Sequence, residues 1–176
     1  MNHYSGDIYY YDAFDTHLAA GMYYYTVYAN DTTGNEATPM TGNFTINTQV
    51  AITLTQVPIH FGNTTIPVTD RRADNGTAGS GYSGGTIKGF PAIVNNTGNV
   101  NITLRINGTD LVGQTNGGYT VDVSGIKYYT TNNVSSAVAL STSATQFATD
   151  VTMLTPTNLY FWISLPEGLI SQEYIG

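Results

Sequence analysis

Apolar and polar residues alternate along much of this chain. A period of two is the spacing at which a strand sends successive side chains to opposite faces. The clearest stretch runs from Val100 to Asn107, where Val100, Ile102, Leu104 and Ile106 are apolar and Asn101, Thr103, Arg105 and Asn107 are polar. It predicts a strand with one face in solvent. Met22 to Ala29 alternates as well, with Tyr23, Tyr25, Val27 and Ala29 on one face and Tyr24, Thr26 and Tyr28 on the other. Across the turn residues Asn30 to Asn35, Phe44-Thr45-Ile46 is expected to close a hairpin onto it.

Further strand signals lie at 8–11, 51–57, 90–94, 119–123, 126–130 and 159–165, the last with Phe161, Ile163 and Leu165 on one face, while 137–140 and 147–154 are apolar stretches between Thr/Ser-rich turns. Pro58 places Ile59-His60-Phe61 at an edge or bend, and Ile66-Pro67-Val68 continues weakly. Residues 69–89, rich in Gly, Asp and Ser, read as a long surface loop. No segment has convincing helical periodicity; only 143–151 has room for a short turn. About ten strands at this spacing predict a β-sandwich.

Composition agrees. The 176 residues include 28 Thr, 16 Asn, 19 Gly and 14 Tyr, and Thr and Tyr favour strands while Asn and Gly favour turns. Charged residues are 10%, against a usual ~25%. A net charge of −7 with five scattered Lys and Arg offers nothing to neutralise phosphates, which excludes nucleic acid as a partner. The longest apolar run, Leu159 to Ile163, is far short of a membrane-spanning helix. With no Cys, disulfides, thiolate catalysis and Cys-ligated zinc are excluded. The stretch Met1 to Asp7 lacks the basic and apolar regions of a signal peptide, which leaves a cytoplasmic protein, a mature exported chain or a fragment of a larger exported one.

The acceptor pattern Asn-X-Ser/Thr bears on that choice. It occurs at Asn30, Asn43, Asn63, Asn75, Asn95, Asn101, Asn107 and Asn133. From the Asn, Ser and Thr content about three or four matches are expected by chance, so eight is roughly double. Asn101 and Asn107 sit on the predicted solvent face of their strand. An exported, N-glycosylated chain is the expectation, with an extracellular or cell-surface location.

The run from Leu18 to Asn35 resembles the last hairpin of immunoglobulin-like repeats in bacterial and archaeal surface proteins. Leu18, Gly21 and Tyr23 stand where such repeats have a Leu-x-x-Gly-x-Tyr corner, and Ala29, Asp31, Gly34 and Asn35 where they have a turn. The resemblance implies that the Tyr23 hydroxyl bonds back to upstream backbone. Ile93 to Asn101 and Phe161 to Gly168, followed by Tyr174-Ile175-Gly176, resemble strands of archaeal envelope modules. Gln172 and Glu173 depart from that pattern, standing where the corner usually has a small residue and Gly. The expected fold is an all-β, antiparallel Ig-like sandwich over 49–176, with 1–48 forming a partial, three-strand Ig-like segment. An incomplete sandwich presents an open edge to which another chain can add a strand.

Reactive constellations are weak. His3, His17 and His60 are dispersed, and His60 alternates out of phase with Ile59 and Phe61. Asp7, Asp12, Asp15 and Asp31 are weak calcium candidates without Asp-x-Asp-x-Asp spacing. Residues 79–89 are Gly-rich but lack the Gly-Lys-Ser/Thr of a phosphate loop. Nothing ties together Asp110, Asp122, Asp150 and Glu167 as a glycosidase pair. Tyr10, Tyr24, Tyr28, Tyr82, Tyr128 and Trp162 are candidate exposed aromatics for stacking on sugars or on a neighbouring subunit. The expectation is a structural, non-enzymatic subunit or module of an envelope layer, stalk or filament, with no cofactor, whose partners are copies of itself, neighbouring modules or glycans. The alternative is a carbohydrate-binding or adhesion module.

Overall fold

The computed structural model describes residues 2–5, 8–10, 18–55, 57–73 and 91–176. The fold is all-β, and every strand pairing in it is antiparallel. Two short 3-10 turns, 123–125 and 134–136, are the helical residues among those described.

At the N-terminal end, β1 (Asn2–Ser5) pairs with β2 (Ile8–Tyr10), and β3 (Gly21–Val27) pairs with β4 (Met40–Ile46). The hairpin of β3 onto Phe44-Thr45-Ile46 is as the alternation predicts. Among the described residues the two pairs are separate sheets, two hairpins in place of one three-strand piece. β1 went unread because Asn2-His3-Tyr4-Ser5 has no alternating apolar pattern.

The remaining strands are β5 (Ile52–Thr55), β6 (Val68–Arg72), β7 (Ala92–Asn96), β8 (Ile102–Ile106), β9 (Leu111–Gly113), β10 (Thr120–Val121), β11 (Ile126–Tyr129), β12 (Val138–Ala139), β13 (Thr145–Val151), β14 (Pro156–Leu165) and β15 (Tyr174–Ile175). One sheet has the order β12-β11-β14-β7-β5, with β6 also on β14; β8 pairs with β13, and β9 lies between β10 and β15. At its centre β14 bonds β7 through 156–159, β6 through 162–165 and β11 through 160–163. Two expectations are corrected here. β6 occupies the start of the supposed 69–89 loop, and β13 is a strand where a short turn had room. Both strands are irregular in register, and a bulge breaks the period of two on which their recognition depends.

Between the sheets lies a core built from Val94, Leu104, Val121, Ile126, Tyr128, Leu159, Phe161 and Ile163, against which Ile59, Phe61, Phe147 and Leu165 pack. Burial of this apolar surface is the main favourable contribution to the fold, at about 25 cal/mol per Å². One polar side chain is buried within it. Asn96 donates from Nδ2 to the carbonyls of Val100 and Val151, both at 2.8 Å, and its Oδ1 accepts the Gly98 N–H at 3.0 Å. All its bonding capacity but one lone pair is thus used, as a buried amide requires.

The turn after Asn96 also joins the hairpin β3–β4 to the layers. Asn99 donates from Nδ2 to the Asn47 carbonyl at 2.9 Å and accepts the Gln49 N–H at 2.7 Å, while its carbonyl accepts the Ala20 N–H at 3.1 Å. Gly98 is required by close approach: a Cβ there would strike the Gln49 carbonyl oxygen.

Candidate interaction surface

Two tyrosine corners bracket the described chain. The Tyr23 hydroxyl donates to the Ala19 carbonyl at 2.9 Å, the bond that the resemblance implied. The Tyr174 hydroxyl donates to the Ile170 carbonyl at 3.1 Å, so the corner geometry survives Gln172 and Glu173 standing in the intervening positions. Gln172 instead turns toward the β9 end, where its Oε1 accepts the Thr115 and Asn116 N–H groups.

Strand β3 follows its corner with one partner and no covering layer among the described residues. Tyr23 stacks on Phe44 with ring centroids 5.5 Å apart, but Met22, Tyr25, Val27 and Met40 are exposed, and Tyr24 and Tyr28 are 77% and 76% exposed. The edge strand β5 is similar. Ile52 and Leu54 lie in register with the buried Asn96 and Val94 of β7, yet both are more than half exposed. No described strand pairs with the outer edge of β5. Backbone groups along such an edge are templates for another strand.

The aromatic candidates divide. Tyr24 and Tyr28 are exposed, as expected. Tyr128 and Trp162 are not: they are 3% and 4% exposed, which corrects their reading as surface platforms. Tyr128 packs edge-on to Phe147, centroids 6.3 Å apart, and burial pushes its hydroxyl pKa up, partly offset by a hydrogen bond with Thr145. Trp162 points away from the face of Phe161 and Ile163, beside Tyr160, in register with Arg72 of β6 and Lys127 of β11. Alternation alone placed it opposite the core, yet it is buried on that side of the sheet. The side chain of Tyr10, and Tyr82 altogether, lie outside the described residues.

Of the sequon asparagines, Asn30, Asn43, Asn63, Asn101, Asn107 and Asn133 are exposed and Asn95 is half-buried, while Asn75 lies outside the described residues. Of the calcium candidates, Asp7, Asp12 and Asp15 lie outside them too. The Asp31 carboxylate closes its own turn, accepting the Thr33 N–H and hydroxyl and the Asn35 N–H on Oδ1 and the Asn35 amide on Oδ2, all within 2.9 Å. These bonds, led by that of the Asn35 side chain, hold its pKa far below the ordinary value. Among the described residues no three His, Asp or Glu side chains gather as a metal site would need.

Two of the four acids considered as a catalytic pair, Asp110 and Asp122, serve local structure. Asp110 accepts the Val123 N–H at 2.8 Å, and Asp122 caps the 123–125 turn through Ser124, whose hydroxyl bond lowers its pKa. His60 is exposed between Ile59 and Phe61, which pack on the core. One charged cluster escaped the sequence reading. Lys127 Nζ lies 2.7 Å from Asp70 Oδ1, and the Asp70 N–H donates to Ser164 Oγ at 3.0 Å. Asp70 holds φ +51°, a left-handed conformation that Asp tolerates better than most residues. This trio joins β6, β14 and β11 across the sheet, and no local spacing signals it. Half-exposed, the ion pair is worth little by itself.

No helix among the described residues is long and apolar enough to cross a membrane. No protein-family model matches the chain, and no curated protein or solved structure matches it either.

Proposed function

We propose that this chain is architectural: a non-enzymatic, Ig-like β-sandwich module of a cell-surface layer, stalk or filament, held outside the cell and joined to copies of itself by strand addition. One observation carries the reading. Exposed tyrosine and aliphatic side chains cover the β3–β4 hairpin, and β5 presents apolar residues beside an edge that no described strand pairs. Larger exposed apolar patches on folded proteins mark interaction sites, and free strand edges select extended backbone as the partner. Two tyrosine corners support the Ig-like assignment. Low charge with abundant Thr and Asn suits a surface solvated by neutral groups.

Electron microscopy of the purified chain tests this. Ordered filaments or sheets are expected, and substituting Ile52 and Leu54 by Lys should abolish them. A monodisperse monomer at high concentration would overturn the proposal. The adhesion reading keeps some support from Tyr24 and Tyr28, although burial of Trp162 and Tyr128 removes half of the described part of its platform. Glycan-array binding that is lost in Tyr24→Ala would favour it.

A further inference from the structure

The outward face of β8 differs from the other exposed strand surfaces. Asn101, Thr103, Arg105 and Asn107 are all exposed along it, while Ile102, Leu104 and Ile106 turn inward. It carries two complete acceptor motifs, Asn101-Ile102-Thr103 and Asn107-Gly108-Thr109, with both hydroxyl-bearing residues exposed. Neither carboxamide is taken by a hydrogen bond among the described residues. Six residues at ~3.3 Å each separate the two asparagines by roughly 20 Å along the strand, which leaves room for two oligosaccharides side by side.

Two other sequons are obstructed. Asn133 accepts the Ser135 N–H on Oδ1 at 3.1 Å and donates from Nδ2 to Ser136 Oγ at 3.2 Å, capping the 134–136 turn. Asn95 is half-buried on β7, between Pro156 of β14 and Thr53 of β5. An N-linked sugar is bulky and sits at the surface; half-buried Asn95 offers it no room, and at exposed Asn133 the capping bonds already hold the carboxamide.

We propose that β8 is a glycan-bearing face, with Asn101 and Asn107 as N-linked acceptors and Asn95 and Asn133 bare; this rests on the exported, surface-exposed reading above. The donor is an oligosaccharide linked through pyrophosphate to a lipid. A bond forms between asparagine Nδ2 and the sugar C1, and the C1–O bond to the pyrophosphate breaks. The lipid pyrophosphate leaves with that electron pair, and Nδ2 gives up one proton to a base of the transferase. Sugars on β8 keep that face in water, and leave the edge of β5 as the surface open to protein contact.

The test is the full chain, secreted behind an export leader from a host that performs Asn-linked glycosylation. Enzymatic glycan release in heavy-oxygen water, followed by peptide mass spectrometry, reads occupancy at each site. Asn101 and Asn107 should be occupied in most molecules, and Asn95 and Asn133 at least about tenfold less. Thr103→Val and Thr109→Val should each remove one glycan with the circular dichroism of β-structure unchanged, and Asn101→Gln and Asn107→Gln repeat the measurement should a valine variant misfold. Secreted, folded protein with bare Asn101 and Asn107, or with equal occupancy at Asn95 and Asn133, overturns the assignment. A glycosylated chain that stays monomeric in the microscope sinks the assembly reading and leaves the acceptor face standing.

Discussion

Tyr24 and Phe161 are both aromatic residues of alternating strands, yet Tyr24 is 77% exposed and Phe161 lies in the core. What differs is the number of neighbours the strand has. β14 bonds to other strands on both edges and packs Phe161 and Ile163 against a second layer, and Trp162 is buried as well. Among the described residues β3 bonds to β4 alone, and none of 18–48 belongs to the core. Stability is expected to follow the layers, and the hairpin is tied to them chiefly through Asn99.

The sharpest way to break this comparison is a matched pair of truncations. Phe161→Ala should cost about 3–5 kcal/mol, through lost transfer energy and the cavity left behind. Tyr24→Ala should change stability by no more than about 0.5 kcal/mol. Urea unfolding of the two variants checks both, and equal losses would refute the division. Next in size is Asn96→Ala. It removes the side-chain donor from the Val100 and Val151 carbonyls, at about 1–3 kcal/mol for each group that stays buried, while the Gly98 N–H keeps the Ala51 carbonyl at 3.1 Å. Its loss should exceed about 2 kcal/mol and detach the hairpin, seen as accelerated amide exchange in β3 and β4.

A smaller effect separates the corners. Tyr23→Phe and Tyr174→Phe each remove one hydroxyl bond to backbone, worth about 1 kcal/mol. Tyr174, packed against the core, should show the larger loss in thermal unfolding. Smallest is the acid response of the Asp31 turn. Its folded pKa lies below the ordinary 3.8, so its contribution is present above that value and lost only as pH falls through the folded one. Amide shifts of Thr33 and Asn35 should therefore hold steady from pH 7 to about 3; a midpoint near the ordinary value would show that the turn's bonds do not form in solution.

Much of this was legible in the sequence where period and turn chemistry agreed. The strand 100–106, the β3–β4 hairpin and the inward row Phe161, Ile163, Leu165 follow from alternation, and the Tyr23 corner from its resemblance. β6 and β13 were illegible because irregular register breaks the period. The burial of Trp162 and Tyr128 was misread because exposure depends on what lies across the sheet. The Asp70–Lys127–Ser164 cluster joins residues up to 94 apart, a distance over which no spacing rule operates.

By itself, the sequence determined that this protein is built of strands and which residues share a face on each regular one. These are properties of side-chain period and composition, set residue by residue. Which strands became central and which remained edges, and so which aromatics are core and which are surface, was decided only by the tertiary structure. Burial is a property of the partners a strand finds, and those partners come from remote parts of the chain.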